Sequence, residues 1–189
     1  MTKKKVKPGT FLYPMPLVVI GANVEDKPNF MTIAWVSIVE NSPPMISISA
    51  SKSHYTNKGI KETGTFSVNT PSAEMVEVTD YIGLKSGKDI DKSDLFDVFY
   101  GELKTAPMIS QAPLNLECEL VHTVDFDIKH EIFIGQIKKA WAEESIIENN
   151  IPDMEKINPI MFSMNDNHYW ILGESIGKAW SIGRDFKKK

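Results

Sequence analysis

Residues 29–56 read NFMTIAWVSIVENSPPMISISASKSHYT and hold the clearest local pattern in this chain. Ile, Val, Trp and Thr dominate residues 30–39, and this composition predicts a strand. Ser42-Pro43-Pro44 predicts a turn, because proline fixes φ and has no N–H to donate. The segment therefore begins with a strand that ends at a proline turn.

The residues after that turn alternate between apolar and hydroxyl side chains. Ile46, Ile48 and Ala50 point to one face of a second predicted strand, and the intervening serines point to the other. A Ser/Lys/His/Thr cluster follows and precedes a helix predicted over residues 56–63. That helix is expected to stop at Gly64, since glycine commonly ends helices.

Shorter patterns on either side predict further elements. An apolar run at residues 17–22 indicates a buried strand, and residues 23–29 read as a hairpin connection. After a strand around Phe66, Thr70 is predicted to cap a helix that reaches about Tyr81. Residues 83–94 then form a polar loop of a length that is often functional.

The second half of the chain contains the longest predicted hairpin. Alternation over residues 116–126 predicts a half-buried antiparallel strand with one wet face. Residues 130–141 are its expected partner, and Gly135 marks a bulge or a close approach. Two short strands are predicted at 161–162 and 169–172. Three apolar residues are predicted to anchor the tail that follows them, Ile176, Trp180 and Ile182.

Many strands, few helices and hairpin-length connections predict a mainly β fold, a β-barrel with a few helical insertions. An open α+β sheet is the alternative. The 189 residues show no internal repeat and no linker. We therefore expect one domain over residues 1–189, with residues 1–9 and 187–189 as flexible tails.

Composition excludes several classes of partner. A formal net charge of -4 makes the chain a poor candidate for binding nucleic acid, where basic surface dominates affinity. No apolar run is long enough to span a bilayer, and residues 17–22 are too few for a signal peptide. Cys118 is the only cysteine, so no internal disulfide can form. We predict a cytoplasmic protein without a membrane partner.

The sequence also lacks the spacings that several kinds of catalytic site require. Its four histidines share no metal-ligand spacing with one another or with Cys118. G-x-G-x-x-G and a P-loop are both missing, which argues against a Rossmann nucleotide site. Cys118 falls on the apolar face of its strand, where a thiol usually serves as packing.

The remaining candidate for a functional site is the cluster at the start of the helix predicted over residues 56–63. Thr56 can cap free amides and face a phosphate there, and Lys52 adds a positive charge nearby. Taken alone, the cluster suits an ordinary helix cap as well as an anion site. With a flat wall at Trp35 and the serine row, it would also suit flavin mononucleotide (FMN), which needs space for a ring, a ribityl chain and a phosphate.

Six motifs together resemble the flavin reductase-like family, whose fold is the FMN-binding split barrel. The resemblance covers roughly residues 10–186 and is strongest to the flavoredoxins within that family. In chain order the motifs are Asn29-Phe30-Met31-Thr32-Ile33-Ala34-Trp35, Ser42-Pro43-Pro44, Ser51-x-x-x-Tyr55-Thr56, Thr65-Phe66-Ser67-Val68-Asn69, Ser86-Gly87 with Asp91-Lys92, and His130-Glu131-Ile132-Phe133-Ile134-Gly135.

The resemblance implies a homodimer with one bound FMN per subunit near the interface. By role, the implied contacts are Asn29, Phe30, Met31, Thr32, Trp35 and Phe162 for the ring, Ser49, Ser51, Lys52 and Thr56 for the ribityl chain and phosphate, and Lys92 and His130 for the polar edge of the flavin. Two positions depart from the family pattern. Ser93 replaces an aromatic residue, and His54 replaces a frequent arginine, so Lys52 is the expected phosphate cation.

Three functions are compatible with this resemblance, and the third of them requires little catalytic turnover. The first is an FMN oxidoreductase, in which NADH or NADPH is a transient donor and free flavin, ferric iron or another molecule accepts the electrons. The alternative is a flavoredoxin-type FMN carrier between redox proteins, with no nicotinamide site. The third is a flavin-binding store or sensor. No catalytic residue is implied, because the cofactor performs the chemistry.

Overall fold

Antiparallel strands dominate the computed structural model, which describes residues 1–186. The helices are α1 (Thr56–Thr63), α2 (Val76–Leu84) and α3 (Met154–Ile157), with 3₁₀ turns at Ala73–Met75, Ser93–Leu95 and Glu144–Ile146. The strands are β1 (Met15–Pro16), β2 (Val18–Val24), β3 (Lys27–Ile33), β4 (Val36–Asn41), β5 (Pro44–Ser51), β6 (Thr65–Thr70), β7 (Val98–Phe99), β8 (Met108–Ile109), β9 (Leu114–Asp125), β10 (His130–Ala142), β11 (Ile147–Glu148), β12 (Ile151–Pro152), β13 (Met161–Ser163) and β14 (His168–Trp170).

Seven of these strands form one sheet, in the order β3-β2-β6-β9-β10-β5-β4. The edge strands β3 and β4 are consecutive in the chain, and only Ala34 and Trp35 separate them. Two linking residues span at most about 11 Å, so the sheet must curl until its edges approach each other. The backbone N–H of Ser49 donates to the carbonyl of Trp35 at 2.8 Å, which attaches this link to β5.

This curled sheet, whose two edges do not pair with each other, confirms the predicted mainly β split barrel. Strands make up 41% of the residues and helices 16%, so the helices are insertions. The interior is apolar, and the alternating residues Ile46, Ile48 and Ala50 of β5 face it as predicted. Cys118 is fully buried in the same core, and burial raises the pKa of its thiol. Cys118 is therefore packing, as expected.

Two local predictions hold closely. Helix α1 covers residues 56–63 and ends at Gly64, whose φ of 68° is left-handed. Gly135 in β10 marks both a shift of register against β9 and a close approach. A Cβ added there would lie 2.5 Å from Cζ of Phe66, so no larger residue fits beside that ring.

Three predicted boundaries are wrong, because pairing in the sheet overrides local composition. The hairpin connection is only Glu25 and Asp26, which adopt the positive φ of a tight turn, and not the whole of 23–29. The strand expected over 30–39 breaks at the Ala34–Trp35 link. Thr70 does not cap a helix, since it pairs with Leu114 at the end of β6.

The wet face expected for β9 is also wrong at one position. Glu117 is fully buried because the loop after β7 covers it. Its carboxylate accepts hydrogen bonds from the backbone N–H groups of Glu102 (3.2 Å) and Leu103 (2.9 Å) and from Nε1 of Trp141 (3.1 Å). These donors offset the cost of burying a carboxylate.

The carboxyl-terminal segment does not pack as predicted. Ile176, Trp180 and Ile182 are 95%, 94% and 72% exposed, so within this chain they anchor nothing. The tail predicted at 187–189 lies outside the described residues, and residues 1–9 are exposed. Within residues 1–186, no helix has both the length and the apolar character needed to cross a membrane.

Replacing Gly135 with alanine tests the close approach in the core. We expect Gly135→Ala to lower the free energy of unfolding by about 1–3 kcal/mol, because the new methyl group overlaps the Phe66 ring. Urea denaturation measures the change. Gly173→Ala is the matched control, since a Cβ at Gly173 meets nothing within 4 Å. Equal stability of the two variants would contradict the packing described.

Candidate functional site

Three cavities meet at Tyr55, in the turn between β5 and α1. The central cavity, about 340 Å³, lies between this turn, β3 and the loop after α2. The loop cavity, about 330 Å³, lies on the outer side of the same loop. The lysine cavity, about 560 Å³, lies over the start of α1. The central cavity is lined by Asn29, Met31, Thr32, Ser53, His54, Tyr55, Thr56, Ile82, Gly83, Leu84, Lys85, Ser86, Gly87 and Lys92.

A buried hydrogen bond holds two walls of the central cavity together. Nδ2 of Asn29, on β3, donates to Oγ1 of Thr56 at 2.7 Å, and both residues are buried. Gly87 packs so closely on Asn29 that an added Cβ would overlap the amide. The loop after α2 is therefore fixed against β3, and the cavity has a defined shape.

Lys92 is buried, with 4% of its surface exposed, and pairs with no carboxylate among residues 1–186. Its Nζ donates to the carbonyls of Phe30 (2.9 Å) and Ile82 (2.7 Å). The Ile82 carbonyl lies in the last turn of α2, where carbonyls lack helical partners and a cation is favourable. Burial lowers the pKa of Lys92 to about 8. An ammonium has three donors, so one remains for a ligand.

His54 stands between the central and lysine cavities and is half-buried. Burial lowers the pKa of His54, and the charges of Lys92 and His130 lower it further. Its Nδ1 is buried and has no hydrogen-bond partner in the described structure. At neutral pH the imidazole is neutral, which agrees with the expectation that it makes a poor phosphate cation.

Helix α1 begins beside these cavities, and the amides of Asn57 and Lys58 in its first turn donate to the carbonyls of His54 (3.2 Å) and Tyr55 (3.1 Å). No side chain caps its first amides, and its first turn contains no acidic residue. Ser51 and Ser53 form a hydroxyl pair at 2.9 Å beside it. Lys52 contributes to the lysine cavity, where Asp125 at 2.6 Å raises its pKa and compensates part of its charge. A helix start of this kind favours an anion.

The remaining predicted residues lie apart from the central cavity. Trp35 and Ser49 line an apolar groove of about 760 Å³ under the amino-terminal segment, here called the tail groove. His130 stacks on Trp35 with ring centroids 4.9 Å apart and lies opposite Ser51 in the sheet. Phe162 pairs with Met15 in the small sheet and does not line the central cavity.

The structure thus brings together Asn29, Met31, Thr32, Thr56 and Lys92 around one cavity. The Phe30 side chain is fully buried against Phe96, so only its backbone reaches the site, through Lys92. Sequence reasoning missed the wall formed by residues 82–87. Two features of the sequence could have indicated this wall, the length of the polar loop and the Ser86-Gly87 motif. Among residues 1–186 no cluster of His, Cys, Asp and Glu is arranged to hold a metal ion.

Several known proteins are similar to this chain in sequence, and some of them have solved structures with a similar fold. A flavoredoxin from Methanosarcina acetivorans is 48% identical, with a TM-score of 0.94 over 97% of this chain and 98% of that one. A flavoredoxin from Desulfovibrio vulgaris (Miyazaki F) is 34% identical, with a TM-score of 0.90 over 97% and 100%. An uncharacterised Archaeoglobus fulgidus protein is 34% identical over 90% of this chain and 89% of its own.

The family assignment follows from a match that extends over most of the chain. The profile of the flavin reductase like domain matches residues 10–164, which include the barrel strands and every wall of the central cavity. The resemblance found in the six motifs is therefore confirmed. This chain belongs to the flavin reductase-like family.

Proposed function

We propose that this protein binds FMN in the central cavity and carries electrons through it, as a flavoredoxin-type electron carrier. The observation that supports this most is its 48% identity to a flavoredoxin across nearly the whole length of both chains. The central cavity, which combines an uncapped helix start with the buried cation of Lys92, is where the flavin would fit.

The chemistry of the cavity suits the cofactor. A phosphate would find the positive end of the α1 dipole, the hydroxyls of Ser53 and Thr56, and Lys52 close by. Asn29, Met31 and Thr32 would line the ring edge along β3. The partnerless Nδ1 of His54 is a further polar atom for which a ligand would provide the missing contact.

FMN, when bound, supplies redox chemistry that exchanges electrons one or two at a time. The protein's part is to bind it, to hold it against a rigid wall and to fix the charge beside it. Lys92 would do the last of these, because two backbone carbonyls hold its ammonium in place and leave one donor free. Trp35 and Ser49 line the tail groove and His130 stacks on Trp35, so these three residues would not contact a flavin held in the central cavity of this chain.

A second candidate is the NAD(P)H-dependent oxidoreductase that passes electrons to flavin, ferric iron or another acceptor. The loop cavity favours it, since it shares Asn29, Gly87 and Lys92 with the central cavity and offers space for a second small molecule. In this reading NADH or NADPH would bind transiently against the flavin.

The homodimer is also a proposal. Large apolar side chains stay exposed in this chain, including Ile38 of the edge strand β4 at 66% and Trp180 at 94%. Covering such residues with a second copy would remove apolar surface from water. We propose that the dimer acts in the cytoplasm, which suits a chain with one cysteine.

The electron donor distinguishes the two candidates. The FMN-loaded protein is mixed anaerobically with NADH, with NADPH or with a reduced ferredoxin-type protein, and the visible flavin absorption is followed. The carrier proposal expects rapid bleaching by the redox protein and none by either nicotinamide. Bleaching by NADH or NADPH at a catalytic rate would favour the oxidoreductase, and free FMN in the same mixtures gives the background.

Thr56→Val tests the proposed phosphate end of the site. We expect FMN affinity to fall about tenfold, because the variant loses a hydroxyl donor and leaves the Asn29 amide without its acceptor. Quenching of FMN fluorescence during titration measures the affinity. Thr63→Val, at the other end of α1, makes the same chemical change away from the cavity and should bind normally. Unchanged affinity in Thr56→Val would remove Thr56 from the site.

The charge of Lys92 predicts how FMN affinity depends on pH. In the free protein the pKa of Lys92 is about 8, and a bound anion would raise that pKa. FMN binding above pH 8 must therefore be accompanied by the uptake of a proton by the protein. The dissociation constant should therefore be flat from about pH 7 to 8 and rise by up to about tenfold per unit above that. Lys92→Met should be weaker and insensitive to pH over this range. A flat wild-type profile would contradict the contact.

A further inference from the structure

The carboxyl-terminal arm, defined here as residues 173–186, is exposed along its whole length. Four large apolar side chains lie on it, and their exposed fractions are 95% for Ile176, 94% for Trp180, 72% for Ile182 and 83% for Phe186. Single apolar residues at a surface are ordinary, but a short segment that carries four of them indicates an interaction site. The arm therefore needs a surface that can cover it.

The arm has a defined shape, although the barrel does not hold it. The backbone N–H of Ile182 donates to the Lys178 carbonyl at 3.0 Å, and that of Arg184 donates to the Ser181 carbonyl at 3.0 Å. Trp180 adopts a left-handed φ of 56°, which is rare for a bulky side chain and persists where neighbouring groups impose it. Within residues 1–186, every hydrogen bond that the arm forms is internal to it. An outside partner would supply the missing support.

The tail groove has the chemistry that the arm requires. Its volume is about 760 Å³, and among residues 1–186 no charged side chain lines it. Its apolar walls include Phe11 and Leu12 of the amino-terminal segment and Trp35 and Ile132 of the barrel. The central part of the arm, residues 175–183, reads SIGKAWSIG and contains a single charge. An uncharged apolar groove suits such a segment, because both surfaces gain by leaving water.

The arm leaves the barrel beside its own tail groove. A smaller cavity of about 430 Å³ lies at the root of the arm, and its lining includes Tyr13, Pro14, Leu172 and Gly173. Pro14 also lines the tail groove, so the two cavities are neighbours. Residues 173–186 are all described, and none of them lines the tail groove of the same chain.

Symmetry explains how the arm would reach a groove. Most homodimers are two-fold symmetric, so the same surface of each copy meets its counterpart at the axis. An axis that passes close to Pro14 would place the root of each arm beside the groove of the other copy. Two copies can exchange an identical segment at low cost, because each chain already carries both the segment and its docking surface.

The apolar area of the arm is enough for a stable dimer. Large side chains of this kind bury roughly 150 Å² each, so the four on one arm would bury about 600 Å². The groove would lose a similar area, so two arms would bury about 2,400 Å² in total. Stable, specific interfaces bury about 1,200–2,000 Å² in total. Exchange of the arms would therefore suffice to hold two copies together.

We propose that the arm of each subunit docks in the tail groove of a second copy of this chain, with Trp180 as its main anchor. Tryptophan is enriched among the residues that dominate binding energy at interfaces. The inference rests on the homodimer proposed above and names the two surfaces that form it. It gives Trp35 a place at the subunit interface, since Trp35 lies outside the central cavity.

Two other arrangements compete with exchange of the arms. The arm could fold back onto the groove of its own chain, or the copies could associate through the edge strand β4, where Ile38 is 66% exposed. The arm turns away from its own groove in this structure, which favours exchange over folding back. The experiment has to separate all three arrangements.

The test uses two variants that remove opposite halves of the proposed contact. Ile176→Gln/Trp180→Gln makes the arm polar. Ser37→Arg places a long cation in the groove, where it covers apolar surface and repels Lys178, and Ser37 is exposed and lies outside the central cavity. Ile151→Gln is the control, because Ile151 is also 66% exposed but lies in β12, outside the arm and the groove. Sedimentation velocity over a range of concentrations gives each dimer dissociation constant.

We expect the arm variant and the groove variant each to raise the dimer dissociation constant at least about thirtyfold, while the control leaves it unchanged. The decisive measurement is made on an equal mixture of the two variants. In a mixed dimer, the intact arm of the groove variant meets the intact groove of the arm variant, so one contact is restored. The mixture should therefore dimerise more tightly than either variant alone.

Two results would overturn the inference while the homodimer stands. If both variants dimerise as tightly as the wild type, the copies associate through another surface, such as β4. If both variants are weakened but their mixture recovers nothing, the arm acts within its own chain. A wild type that stays monomeric at high concentration would reject the homodimer itself, and the inference with it.

FMN titration of the wild type runs in parallel, since the flavin proposal and this inference can fail separately. A wild type that exchanges arms in the mixing test but binds no FMN would reject flavin binding and leave the inference standing. A wild type that binds FMN while the arm variant keeps the wild-type dimer would do the reverse.

Discussion

The two-residue link Ala34–Trp35 is the constraint on which the barrel and its candidate site depend. It joins strands at opposite edges of a seven-stranded sheet, so the sheet has to curl. Curling brings β3 beside the end of β5, although the two strands are not paired. Asn29 and Thr56, which are 27 positions apart, can then form the hydrogen bond that holds two walls of the central cavity.

Buried polar groups fix the rest of the cavity. Lys92 ties the edge strand β3 to the last turn of α2 through two carbonyls. Glu131 ties β10 to α1 through Asn57 and Lys61. Each group would be costly to bury without these partners, so the walls are held in one arrangement before any ligand arrives. Because the walls are already ordered, ligand binding would require little additional free energy for ordering the protein.

Sequence patterns predicted those helices and strands whose formation depends on interactions between residues close in sequence. The alternation in β5, helix α1 with its Gly64 end and the bulge at Gly135 all follow from side-chain periodicity or from glycine. The break at Ala34–Trp35 and the pairing of Thr70 could not be foreseen, because both depend on strands distant in sequence. The same distinction between local and long-range interactions applies to the candidate site. Motifs pointed to the residues of β3 and α1, while the wall at 82–87 and the separation of Trp35 from the cavity come from tertiary packing.

A crystal structure of the protein grown with FMN is the most direct test of the central claim. The account predicts flavin density against Asn29, Tyr55 and Lys92, with the phosphate at the start of α1. Density confined to the tail groove beside Trp35 and Ser49 would contradict it, because the ring would then lie outside the central cavity. A crystal that takes up no flavin at saturating FMN would contradict the whole account.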